Sequence, residues 1–142
     1  VGDLVKVVDR QDAWEQDKAV TTVDGILTAH PNVKLIYAAN DGGTVGSTMA
    51  IENKGLKDVY VFGIDASEQI ASYLQNDKNV LQAVTGQDAY QMGYQSMQML
   101  IKAIKGESTG NAGQVKTVDG ILLTRTNPDG IKTYLDDLKK IG

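Results

Sequence analysis

Amide, carboxylate and indole side chains recur where the predicted strands of this chain end. Asn40, Asp65 and Gln87 each come directly after an apolar run, and Trp14 follows the polar turn after the first run. The carboxyl ends of parallel strands meet at one edge of an open sheet, which is where ligands collect. We therefore expect these side chains to share one wall of a binding cleft.

The chemistry of that set suits a polyol. A carboxylate accepts hydrogen bonds from two hydroxyls, and an amide both donates and accepts. The apolar C–H face of a sugar ring packs on an aromatic plane such as the Trp14 indole. These residue types therefore indicate binding of a sugar-like molecule, with Asp9 and Arg10 after the first apolar run as weaker ligand candidates.

Each candidate also has a structural explanation. Asp41, at the start of a predicted helix, is the simplest N-cap, which leaves Asn40 as the ligand contact. Asp65 could instead cap the helix predicted from Ser67, and Trp14 could pack in the core. The sequence leaves these alternatives open.

Catalytic and metal-dependent chemistry have little support in the sequence. The chain of 142 residues has no cysteine and a single histidine, His30, which argues against thiolate sites, a histidine zinc site and a Ser-His-Asp triad. The glycine-rich stretch 41–46 matches neither phosphate-binding fingerprint, so we expect its glycines to allow a close helix–sheet approach. We therefore expect a non-catalytic protein with no cofactor and no metal.

Composition restricts the partners further. The 14 Lys and Arg residues against 18 Asp and Glu give a net charge of −4, so the chain gains nothing from phosphate backbones or anionic lipid. Its 42% hydrophobic and 23% charged residues are typical of a globular domain rather than a disordered tail. Nucleic acid and membrane surfaces are therefore not expected partners.

Hydrophobic periodicity predicts alternating strands and helices along the chain. Strands are predicted at 4–8, 35–39, 59–64, 80–85 and 115–124, and helices at 12–29, 41–53, 67–76, 88–105 and from a cap at 127 onward. Continuous apolar runs are typical of buried parallel strands. The pattern predicts an α/β fold with a doubly wound, mostly parallel sheet of the flavodoxin-like or Rossmann-like kind, formed by residues 1–142 as one lobe.

Three spaced motifs resemble those of the ribose-binding-like periplasmic proteins. Residues 27–41 are similar to L-x-A-H-P-D-[VI] followed by N-D, residues 55–65 to G-x-x-x-[VI]-x-[VI]-x-G-[FI]-D, and residues 87–93 to Q-x-P-x-x-[MI]-G, with Ala89 in place of the proline. The match runs nearly end to end. Members of this family are type I solute-binding proteins of sugar ABC transporters, whose two α/β lobes close on the ligand.

The resemblance implies a role for each candidate. Asn40, Asp65 and Gln87 fall on the family's sugar contacts, and Trp14 falls near its stacking aromatic. It also implies binding of a pentose- or hexose-like sugar, an ABC transporter permease as partner, and a periplasmic or extracellular location, lipoprotein-anchored in a Gram-positive host.

The resemblance further implies that the chain is the C-terminal lobe of a two-lobed protein. The first lobe would precede Val1, and residues 88–113 would pack with it after the chain crosses back. The helix predicted over 88–105 carries a wide apolar stripe that includes Tyr90, Tyr94 and Met97. In an isolated chain that stripe is expected to find new contacts, through self-association by helix swapping or by packing onto the lobe.

A second interpretation is the effector-binding lobe of a lactose-repressor-type transcription regulator, which shares this fold. In those proteins the third strand usually has the sequence pattern P-x-D-[VI]-x-V-x-G-[FY]-D-D. Here the stretch before Val59 lacks the proline, and Ala66 follows Asp65 where the repressors prefer a second Asp. These departures favour transport.

Overall fold

Helices and strands alternate from residue 16 onward. The computed structural model describes residues 4–110 and 113–141. Its elements are α1 (Gln16–Ala29), β1 (Leu35–Tyr37), α2 (Asp41–Lys54), β2 (Tyr60–Ile64), α3 (Glu68–Gln75), β3 (Leu81–Gly86), α4 (Ala89–Ile104), β4 (Ile121–Thr124) and α5 (Pro128–Ile141). The predicted α/β fold with a mostly parallel sheet is confirmed.

The strands lie in the order β1-β2-β3-β4. The pairs β1–β2 and β2–β3 are parallel, and β4 runs antiparallel to β3. Because β1, β2 and β3 point the same way, the residues that follow them meet at one edge of the sheet. That edge receives Asn40, Asp65 and Gln87, as the sequence predicted.

The core is formed by the strands together with helices α1, α2, α3 and α5. Its fully buried members include Val61, Leu81 and Val84 from the strands and Ile51 and Ile70 from the helices. A large buried apolar surface of this kind is the main stabilising term of a small domain. It gives the strand ends of the site a rigid support.

The first predicted strand does not form. Residues 4–8 have irregular backbone, and the apolar side chains of Leu4, Val5, Val7 and Val8 are exposed. A strand is stabilised by hydrogen bonds to a neighbour and by burial of one face, and within the described residues this segment has neither. The same reason shortens the predicted strand 115–124 to β4, since Val115 is 92% exposed.

Two glycines, Gly46 and Gly63, allow close approach between neighbouring elements. A Cβ on Gly46 of α2 would lie 2.6 Å from the Ala19 Cβ and 3.1 Å from the Val20 backbone nitrogen, both in α1. This glycine therefore serves helix–helix contact, and the expectation of helix–sheet approach was wrong for it. The helix–sheet approach instead depends on Gly63 of β2, where a Cβ would lie 2.6 Å from the Thr44 Cγ2.

Arg125, directly after β4, joins α3 to the sheet. Its guanidinium donates to the backbone carbonyls of Leu81 at 2.9 Å, of Tyr73 at 2.7 Å and of Asn76. Burial lowers the pKa of Arg125, and the nearby carboxylates of Glu52 and Asp77 oppose that shift. The side chain is thus a charged donor to three main-chain acceptors.

Replacing Arg125 with methionine is expected to lower the free energy of unfolding by about 2 kcal/mol, because half-buried carbonyls lose a charged donor while the aliphatic packing is kept. Urea denaturation followed by circular dichroism measures this change. The control is Lys132→Met at an exposed position of α5, for which a change below about 0.5 kcal/mol is expected. Equal stabilities for the two variants would contradict the assigned role.

Candidate functional site

Asp65 lies at the centre of the site and links two neighbouring loops. Its Oδ2 accepts a hydrogen bond from the Asp41 backbone nitrogen at 3.0 Å, and its Oδ1 accepts one from the Gln87 Nε2 at 2.7 Å. The carboxylate thus faces the positive N-terminus of α2, a favourable position for an anion. The alternative that Asp65 caps α3 was wrong, since Ser67 is that N-cap and accepts from the Ile70 nitrogen at 3.3 Å.

Asn40 is the N-cap of α2. Its Oδ1 accepts from the Gly43 backbone nitrogen at 3.0 Å, and its Nδ2 donates to the Trp14 carbonyl oxygen at 2.9 Å. The expectation that Asp41 is the cap was wrong, because Asp41 is the first helical residue. An amide oxygen accepts two hydrogen bonds and an amide nitrogen donates two, so each Asn40 atom keeps one position for a ligand.

Trp14 presents its indole to solvent. Its side chain is 61% exposed, so the alternative of core packing was wrong. Its backbone is held by the Asn40 side chain at 2.9 Å, which places the tryptophan next to the end of β1. An exposed aromatic plane can stack on the apolar face of a sugar ring.

Gln87 lies between the end of β3 and α4. It is exposed, and its amide nitrogen donates to Asp65 at 2.7 Å. The next residue, Asp88, is the N-cap of α4 and accepts from the Gln91 backbone nitrogen at 2.9 Å. Gln87 is therefore fixed from both sides, by the strand before it and the helix cap after it.

Asp9 and Arg10 lie apart from the other candidates. The Asp9 Oδ1 accepts from the Arg10 backbone nitrogen and the Gln11 Nε2, and its Oδ2 lies 3.6 Å from the His30 Nε2. His30 is the C-cap of α1, just before β1, which is the opposite end of the sheet from Asp65. A ligand role for this pair stays a prediction that these contacts do not support.

Two residues that the sequence analysis did not single out hold the site together. Thr44, fully buried in α2, shares its one hydroxyl proton between the Asn40 carbonyl at 2.7 Å and the Ile64 carbonyl at 3.1 Å, and Ile64 directly precedes Asp65. Tyr134 of α5 donates its hydroxyl to the Ala66 carbonyl at 2.6 Å, directly after Asp65. Gly63 inside a strand was the signal for a close neighbour such as Thr44, whereas Tyr134 reads as an ordinary member of an apolar stripe.

The arrangement can bind by hydrogen bonding and stacking. A groove of about 440 Å³ adjoins Gln87 and continues along the first turn of α4 to residues 116–120, without reaching Asn40 or Trp14. Within 4–110 and 113–141, no group of three His, Asp or Glu residues is arranged to hold a metal ion. In the same ranges no helix has the length and apolar character needed to span a bilayer.

Comparison with known proteins decides the family. Residues 3–108 match the sequence profile described as the periplasmic binding protein domain. The chain belongs to this family. The resemblance inferred from the three motifs is therefore confirmed.

Relatives of known function are import binding proteins. The chain is 30% identical over 124 residues to the D-apiose import binding protein of Paraburkholderia graminis, and this alignment covers 87% of this chain and 39% of that protein. The chain is also 29% identical over 126 residues to the D-allose-binding periplasmic protein of Escherichia coli, and this alignment covers 85% of this chain and 40% of that protein. The chain thus spans about two-fifths of the length of the curated relatives it matches.

The fold has close structural counterparts. An ABC transporter periplasmic solute-binding protein from Actinobacillus succinogenes, solved with bound D-allose, superposes with a TM-score of 0.76 at 28% identity. The superposition covers 87% of this chain and 43% of that one. The chain is therefore similar to part of a sugar receptor.

Proposed function

We propose that this chain forms one wall of the sugar cleft in the solute-binding protein of an ABC importer. The observation that carries the proposal is the hydrogen-bonded group at the strand ends. Asp65 accepts from Gln87 and from the start of α2, and the neighbouring Asn40 cap donates to the backbone carbonyl of Trp14, whose side chain is exposed. Asp65 would accept from two ring hydroxyls, the amides would donate and accept, and Trp14 would stack on the ring.

The ligand class we propose is a pentose- or hexose-like sugar. Its support is the polar set of the site together with relatives named for D-apiose and D-allose. The binding is non-catalytic and serves transport, with an ABC transporter permease as partner and a periplasmic or extracellular location. No relative reported above is a transcription regulator, so the lactose-repressor-type alternative has no support from the comparisons.

We also propose that residues 88–113 pack with a first lobe that closes over the sugar. Residues 111 and 112 of this range lie outside the described part of the chain. The support comes from α4, none of whose residues is buried. Its large apolar side chains Tyr90, Tyr94 and Met97 are each more than half exposed. An apolar helix surface of this kind is normally covered by a partner. In an isolated chain, the same surface is expected to drive self-association.

A ligand panel on the full-length protein tests the proposal. Thermal unfolding is followed with pentoses, hexoses and, as negative controls, amino acids of similar size. A ligand that binds only the folded state raises the melting temperature. At a free-ligand concentration about 100 times the Kd, it raises the free energy of unfolding by about 2.7 kcal/mol. We expect at least one sugar to stabilise the protein and no amino acid to do so; the reverse pattern would refute the proposal.

A further inference from the structure

The loop that carries Asp65 has a backbone conformation that residues other than glycine seldom adopt. Asp65 has a φ of 72°, in the left-handed region. Such a conformation persists only where neighbouring contacts hold it, and it is concentrated at functional sites. The contacts that hold this turn therefore also determine where the Asp65 carboxylate points.

Contacts from three different elements hold the backbone around this residue. The Asp65 nitrogen donates to the Thr85 carbonyl of β3 at 2.9 Å. The Thr44 hydroxyl of α2 donates to the Asn40 carbonyl at 2.7 Å and also lies 3.1 Å from the carbonyl before Asp65. Tyr134 of α5 donates to the carbonyl after Asp65 at 2.6 Å. The turn is thus held both before and after Asp65, and the contact after Asp65, at the Ala66 carbonyl, comes from the last helix, α5.

Tyr134 is suited to this role by more than packing. Its ring packs, half-buried, against the core, which a phenylalanine would do as well. Burial raises the pKa of Tyr134, and the negative charge of Asp41 raises it further. The hydroxyl therefore keeps its proton at neutral pH and remains a hydrogen-bond donor to the Ala66 carbonyl.

We propose that Tyr134 is a positioning residue for the sugar site. Its hydroxyl fixes the carbonyl after Asp65 and thereby the turn that directs the Asp65 carboxylate toward Gln87 and the start of α2. The effect on affinity rests on the proposed function, whereas the effect on the Asp65–Gln87 geometry does not. Helix α5 lies beyond residues 3–108, the range of the family match, so this contact adds a support from outside the matched segment.

The test compares Tyr134→Phe with Tyr73→Phe in the full-length protein. Tyr73 of α3 is a matched control, because it is half-buried against the same core and burial raises its pKa too, while the Gln69 side chain of its own helix opposes that shift. Heteronuclear NMR without ligand follows the Gln87 side-chain amide and the Asp65 backbone amide, and calorimetry gives the Kd for the best sugar. We expect Tyr134→Phe to move both signals and weaken binding about three- to tenfold, and Tyr73→Phe to leave both unchanged.

Each outcome separates the two proposals. Unmoved site signals in Tyr134→Phe overturn the positioning role, whatever the affinity. Equal changes in both variants also overturn it, because the hydroxyls then act through general packing. Moved signals in Tyr134→Phe alone, with no sugar bound by the parent protein, support the positioning role and refute the sugar site.

Discussion

Valine in place of Gly46 is expected to lower the free energy of unfolding by about 3 kcal/mol or more. Forced overpacking of a core costs about 1–3 kcal/mol and occasionally more. Here the added Cβ would meet the Ala19 Cβ at 2.6 Å and the Val20 nitrogen at 3.1 Å. These neighbours are backbone and the first side-chain atom of a packed helix, so they yield only if α1 moves away from α2.

Gly25→Ala is the matched control for Gly46→Val. Gly25 lies in α1, is exposed and has nothing within 4 Å of an added Cβ, so alanine is expected to stabilise the chain by about 0.5–1 kcal/mol through helix propensity. Both variants are compared by urea denaturation at fixed protein concentration. Equal stabilities for Gly46→Val and the parent chain would contradict the tight α1–α2 contact.

Asp65→Asn is expected to weaken sugar binding by the full-length protein about 10- to 150-fold. Hydrogen bonds to a charged group contribute about 1.5–3 kcal/mol, and asparagine removes the charge. The substitution keeps the shape and the tolerance for the left-handed backbone. It also leaves one of the two internal donors, the Asp41 nitrogen or the Gln87 amide, without its present acceptor atom.

Asp58→Asn provides the control for this loss of charge. Asp58 lies just before β2, at the opposite end of that strand from Asp65, and pairs with Lys34 at the surface, which lowers the Asp58 pKa. The charge change is the same in both variants, but only one lies at the proposed cleft. Calorimetric titration should show an unchanged Kd for Asp58→Asn; a similar loss in both variants would mean that net charge, not the site, controls affinity.

The sequence predicted the sheet and the strand ends because both depend on local patterns. Apolar runs of strand length identify β1 to β3, and parallel strands bring the residues that follow them to one edge. Asn40, Asp65 and Gln87 therefore lie at the expected end of the sheet. The cap of α2 was assigned one residue late, since Asn40 and Asp41 are both good caps and only the backbone distinguishes them.

What the sequence did not predict depends on contacts between distant parts of the chain. Tyr134 reaches Ala66 across a sequence separation of 68 residues, and its place in an apolar stripe gave no sign of that hydrogen bond. Residues 4–8 have strand-like composition but no neighbour to pair with in the described chain. Local propensity is overridden in such places by tertiary context.

The most direct measurement is an NMR titration of the 142-residue chain with the sugar that best stabilises the full-length protein. Because we propose that a first lobe supplies the opposite wall of the cleft, we expect this chain alone to bind the sugar weakly, at about millimolar concentration. We also expect shift changes concentrated on the Trp14 indole, the Asn40 and Gln87 side-chain amides and the Asp65 backbone. Changes confined to another surface of the chain, with these four groups unmoved, would contradict the proposed cleft wall.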